Sequence, residues 1–333
     1  MKFFVLCAII SMNIFIVIST FTKEVLGFPI EPVYYSTMVG IALITTVFAI
    51  YKIIVTQEIP RGLILLIAIC LLYLAFYYFS PDKEEKLAKN NILFFLTWAV
   101  PAAISGIYIK YINKATVERF FKLVFFIFSI SFIFVILIPK LTGEIPSYIN
   151  FGLMNYQNAS YLSAFTAGLG IYFIMKGSVK HKWIYVLFTI IDIPIVFIPG
   201  GRGGAILLIL YGLFAFILIT FKRGIPIAVK SIMYIFALSI SSVLIYFLFT
   251  KGSNTRTFSY LQGGTLNLEG TSGRGPIYEK GIYFIQQSPL LGYGPFNYYK
   301  LIGNIPHNII IELILSFGLL GFFIIMICTL IVN

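Results

Sequence analysis

Long apolar runs leave this chain few folds to adopt. About ten recur, near residues 3–21, 34–55, 62–79, 91–112, 119–138, 157–175, 183–199, 204–221, 227–249 and 308–331. Each approaches the ~20 residues that carry an α-helix across ~30 Å of hydrocarbon. Inside lipid, backbone polar groups are satisfied only within helices or closed barrels. The sequence is 59% hydrophobic and 11% charged, with a mean hydropathy of +0.97, far from any soluble domain. The expected fold is all-α, a polytopic membrane helix bundle of about ten transmembrane helices with one long external loop.

Charge sets the orientation. With the N-terminus inside, the inner segments hold thirteen lysines and arginines, among them Lys52, Lys110, Lys114, Lys176 and Lys222. The short outer loops hold six, Lys23, Lys83, Lys86, Lys89, Lys140 and Arg202. That bias follows the positive-inside rule. The net charge of +12 therefore reflects topology, and nucleic acid is not expected as a partner. The first run lacks a small-residue cleavage site and reads as a retained helix. Cys7, Cys70 and Cys328 all fall inside runs, so neither a disulfide framework nor a metal cluster is implied.

Three regions follow: residues 1–250 as a bundle of nine helices, 251–307 as an external catalytic loop, and 308–333 as a tenth helix. Within the loop, residues 251–273 are irregular and glycine-rich. Pro276, with Ile277, Tyr278, Gly281, Ile282 and Ile285 on one face, predicts a short amphipathic helix over 275–287 lying along the membrane surface. The segment Ser288–Phe296, punctuated by Pro and Gly, turns the chain back.

Four features at the outer side carry chemistry. His307 opens the last span, and an imidazole can accept a hydroxyl proton near neutral pH; Asn308 follows it, and Glu312 lies one turn below Asn308. The turn Pro199–Gly204 sets Arg202 between Gly201 and Gly203. Glycines can turn successive amides into an anion nest, a helix starts at the same point, and guanidinium forks onto phosphate. Equally, the turn can be a tight connection with an interfacial arginine. Arg274 precedes the amphipathic helix and combines the same two properties; Lys251 and Arg256 are weaker candidates. Asn155 and Asn158, with Ser160, open the sixth span with groups that bind sugars or cap helices. His181 lies in a lysine-rich inner loop and reads as solvated.

Taken together, these residues resemble the O-antigen ligase and polymerase family of bacterial polysaccharide assembly. The resemblance rests on His307-Asn308 with Gly318 and Gly321, on Pro289-Leu-Leu-Gly-Tyr-Gly-Pro295, on Gly201-Arg202-Gly203, and on Asn155 with Asn158. It covers about residues 150–325. It implies a multi-helix glycosyltransferase of the plasma membrane that moves a glycan from undecaprenyl diphosphate to an acceptor hydroxyl. The active site would face outward, and no cofactor would be needed. Arg202 and Arg274 would engage the diphosphate, and His307 would be the catalytic residue. Asn155, Asn158, Gly201, Gly203, Asn308 and Glu312 would contact substrate. The acceptor would be a glycan or a lipid-linked sugar. Gly201 replaces a serine often found before the arginine. Tyr278 replaces a leucine usual in ligases, which tilts the subtype toward polymerase. The chain also ends one helix after His307, where the family usually continues.

Two alternatives come from other classes. Asp82 and Glu84 form a carboxylate pair that could hold a divalent metal in a metal-dependent glycosyltransferase. Asp192, inside a span, could mark the path of a lipid-linked glycan flippase or transporter.

Overall fold

The computed structural model describes residues 2–143, 149–176, 181–221, 227, 230–231, 234 and 275–332. In chain order the helices are α1 (Lys2–Ile9), α2 (Ser11–Glu24), α3 (Tyr34–Thr56), α4 (Arg61–Tyr78), α5 (Lys86–Tyr111) and α6 (Lys114–Thr142). A two-stranded hairpin follows, β1 (Asn150–Phe151) against β2 (Met154–Asn155), antiparallel with Asn150 opposite Asn155. Then come α7 (Tyr156–Met175), α8 (Lys182–Phe197), α9 (Arg202–Phe221), α10 (Gly275–Gln287), α11 (Tyr298–Ile302) and α12 (Ile309–Val332).

The fold is all-helical apart from that hairpin. Among the described residues, six helices are long and apolar enough to cross a membrane: α3, α4, α5, α6, α9 and α12. Counting the broken pair α1 and α2 as one span brings the number to seven. The expected ten are not matched one for one. The run 3–21 is interrupted at Ile10, α8 has only 16 residues, and most of the run 227–249 lies outside the described residues. Residues 251–274, including Arg274, also lie outside them.

The chain divides into two compact units. The first comprises residues 1–12, 33–117 and 272–333. In it α1 is wrapped by α3 and α5: Val5, Leu6 and Ala8 are fully buried, and the Ser105 hydroxyl donates to the Val5 carbonyl. Phe317 of α12 meets Tyr73 and Phe76 of α4 edge-on, at 4.7 and 5.3 Å between ring centroids. The helix α10 packs on α12 through Gly281, where an added Cβ would lie 2.9 Å from Ile311. Ile277, Phe284 and Ile285 close that contact around Tyr298, Ile302 and Leu315. The predicted helix 275–287 is thus present, but Ile282 is half exposed and Phe284 takes its place on the packed face.

The second unit comprises residues 13–32 and 118–271. Its centre is α7, which buries Ala159, Ser160, Ser163, Ala164, Thr166, Ala167 and Gly170. Small residues let α8 and α9 approach closely, the usual packing solution where lipid offers no hydrophobic drive between helices. Two of the buried hydroxyls take partners within α7 itself. Ser163 and Thr166 each donate to a carbonyl one turn back, at 2.7 Å. Phe125, Phe173 and Tyr185 form an aromatic core beside them.

Candidate active site

His307 stands exposed at the head of α12 with a φ of +56°, in the left-handed region. A side chain there costs roughly 1–2 kcal/mol. What holds it is the next residue: the Asn308 side-chain oxygen accepts from the amides of Ile310 and Ile311 at 3.0 and 3.3 Å, capping the helix. Sequence alone gives the cap residue type but not the backbone conformation that the cap imposes on its neighbour. One turn below, Glu312 accepts a hydrogen bond from Tyr298 at 3.0 Å. Burial first, and then the Glu312 carboxylate, push the Tyr298 phenol far above its usual range, so it remains a donor. Tyr298 was not singled out in the sequence, because its partner lies in another element.

Below Glu312 the helix is interrupted. Gly318 has φ +60° and ψ −173°, values no helix contains. In an unbroken helix the amides of Leu319 and Leu320 would donate to the carbonyls of Leu315 and Ser316. Instead they donate to Pro289 and Leu290, at 2.8 and 3.2 Å. The two freed carbonyls accept from Tyr293 and Gly294, at 2.8 and 2.9 Å. The turn Pro289–Gly294 is therefore spliced into the broken helix by four backbone hydrogen bonds. An added Cβ on Gly318 would run into the Leu290 carbonyl, and one on Gly292 would lie 2.6 Å from the Gly318 amide. Gly321 serves differently, leaving room for the Phe317 ring. The motifs His307-Asn308…Gly318…Gly321 and Pro289…Pro295 are two halves of one device.

A second layer anchors the splice to the end of α4. Ser80 donates to the Tyr293 carbonyl at 2.9 Å, and the Asn297 amide donates to that carbonyl and to Ser80. Lys300 pairs with Asp82. The carboxylate proposed for a metal therefore has a lysine partner. Among the described residues no group of three His, Cys, Asp or Glu is placed to hold a metal ion.

In the second unit, Arg202 is the first residue of α9, and Gly200 before it has φ +79°. The Ser160 hydroxyl is buried between the carbonyls of Val196 and Gly201, at 2.9 and 2.7 Å, joining the end of α8 to the turn. The glycines around Arg202 face α7. An added Cβ would meet Ser160 at Gly201, the Tyr161 hydroxyl at Gly203, and Ser160 again at Gly204. Close packing alone accounts for all three. Asn155 caps α7, accepting from Gln157 and Asn158 at 3.0 and 2.9 Å, so its side-chain oxygen is engaged locally. Asn158 lies half-buried in the first turn of α7. Asp192 is fully buried; one oxygen accepts from Ser129 at 2.6 Å and the other has no partner among the described residues.

His307, Asn308 and Glu312 thus share one helix head in the first unit, whereas Gly201, Arg202 and Gly203 line a helix start in the second. No curated protein and no solved structure matches the chain. The family model described as O-Antigen ligase matches residues 187–326, a stretch that contains the Arg202 turn, the spliced hairpin and His307 through Gly321. Over that stretch the chain is similar to the O-antigen ligase family.

Proposed function

We propose that the chain is a polysaccharide polymerase, or a ligase, that moves a glycan from undecaprenyl diphosphate to an acceptor sugar hydroxyl at the outer face of the plasma membrane. The observation that carries this reading is His307. It lies inside the family match, exposed at a helix head, in a backbone conformation that a histidine occupies only at a cost.

In this reading the acceptor oxygen attacks the anomeric carbon as the bond from that carbon to the diphosphate oxygen breaks. The His307 imidazole takes the acceptor's proton, a contribution of roughly 10²–10⁴-fold. Undecaprenyl diphosphate leaves carrying the bonding pair, and Arg202 and Arg274 stabilise its added charge with forked hydrogen bonds. With two guanidinium groups in that role, the reaction needs neither metal nor cofactor. Asn155, Asn158, Gly201, Gly203, Asn308 and Glu312 are proposed as substrate contacts; Gly201 and Gly203 would act through their backbone amides.

Complementation of cells lacking this chain tests the reading, with glycan length read on a gel. His307→Ala is expected to insert normally and make no polymer. Arg202→Lys should be severely impaired, because an ammonium cannot fork onto a phosphate. A chelator should leave transfer unchanged. A restored ladder of repeats identifies a polymerase, and preformed chains moved to a new anchor identify a ligase. Normal polymer from His307→Ala would remove the catalytic assignment.

A further inference from the structure

The helix α10 does not lie across the head of α12. It runs alongside it. Gly281 packs against Ile311 and Leu315, and eight residues later Pro289 bonds to Leu319. The return strand then climbs, with Tyr293 at Leu315 and Tyr298 at Glu312. The hairpin tip therefore sits beside residues 315–320, which lie six to eleven residues into a span that starts at Ile309. At ~1.5 Å per residue that is about 9–17 Å below the helix head, well inside a ~30 Å hydrocarbon core.

The face of α10 turned away from α12 is largely polar. Glu279, Lys280, Gln286 and Gln287 are exposed on it, together with Tyr283 and one apolar side chain, Ile282. Gln286 and Gln287 immediately precede the tip; with hydrocarbon beginning near Ile309, their amides stand roughly 10 Å below its edge. Lipid cannot hydrogen-bond them, and leaving such groups unpaired in hydrocarbon costs several kcal/mol each. The exposed backbone of a hairpin at this depth is tolerated only inside protein or beside water.

We infer that α10 is a re-entrant helix, and that Glu279, Tyr283, Gln286 and Gln287 form one wall of an aqueous vestibule sunk into the leaflet from which α12 enters. Amides, a phenol and a carboxylate on one face suit a hydroxyl-rich ligand, since together they both donate and accept. The ligand class is a glycan; that clause rests on the transferase reading above, while the vestibule itself does not.

The test uses the full chain with Cys7, Cys70 and Cys328 replaced by alanine, after checking that it still makes polymer. Single cysteines are placed at Gln286, Gln287, Leu320 and Phe323, in open membrane sheets, and labelled with a charged maleimide. Gln286→Cys and Gln287→Cys are expected to react at least about tenfold faster than the exposed apolar sites Leu320→Cys and Phe323→Cys, where lipid excludes the reagent. Slow labelling at 286 and 287 would overturn the vestibule. Labelling of Leu320→Cys as fast as Gln286→Cys would place the hairpin outside the lipid and overturn it as well. The glycan clause is read separately, with oligosaccharide released from the host's own lipid-linked repeat units. It should slow labelling of Gln286→Cys several-fold, in the His307→Ala background too. Fast labelling without protection removes the glycan clause alone. Failure of the wild-type chain to restore polymer removes the transferase reading and leaves the vestibule standing.

Discussion

Two glycine clusters hold the parts of this protein on which its chemistry is proposed to depend, and they work for opposite reasons. At the splice, Gly318 and Gly292 have positive φ, which strains any other residue, and backbone atoms occupy the space of a side chain. At the Arg202 turn, Gly201 and Gly203 have ordinary angles, and the neighbours in the way are the side chains of Ser160 and Tyr161. The first cluster makes a conformation possible. The second makes room. Only room can be restored by trimming a neighbour.

That contrast predicts graded outcomes. Gly318→Ala should be the most damaging, since left-handed strain and collision with the Leu290 carbonyl act together. A loss above about 3 kcal/mol is expected, read as a collapse of monodisperse protein in detergent. No second substitution should rescue it. Gly201→Ala should cost about 1–3 kcal/mol by overpacking. Ser160→Gly alone also costs stability, because it removes the bonds to Val196 and Gly201. The double variant should nonetheless melt higher than the sum of the two single losses predicts, the mark of a relieved clash. Rescue of Gly318→Ala, or simple additivity of Gly201→Ala with Ser160→Gly, would dissolve the distinction. Asn308→Ala should remove the α12 cap at a cost of about 1 kcal/mol. His307→Gly should leave the melting temperature unchanged or raise stability by up to about 1 kcal/mol, by relieving the left-handed strain, while polymer formation is lost. Gly203→Ala should be mildest, under about 1 kcal/mol, because the half-exposed Tyr161 ring can swing aside. If that variant melts normally yet makes no polymer, the turn serves transfer and not packing alone.

Local signals were legible in the sequence. Pro276 and the apolar spacing after it mark α10, whose observed bounds are the predicted ones, Gly275–Gln287. Asn155 is a helix cap by residue type and by contact. What failed to show is everything that depends on distant partners. Residues 309–317 and 319–332 read as one apolar run, because the glycine between them is tolerable in a membrane helix. Only the four bonds to Pro289–Gly294 reveal a break. The tie between Ser160 and Gly201, and that between Ser80 and Asn297, likewise join segments far apart in sequence. The expected surface helix shows the same limit: its amphipathic pattern states that one face is covered, not by what.

The splice bears on how the last span is assembled. Alone in lipid, residues 309–332 would close their own hydrogen-bond ladder as a straight rod. Accepting the hairpin trades two such bonds for four, a favourable exchange, but the rod must open before the replacements arrive. No solvent stands by to bridge the interval. Final assembly of this region should therefore be slow and, once complete, slow to reverse. The helix head that carries His307 would then be fixed in place by the barrier to leaving it.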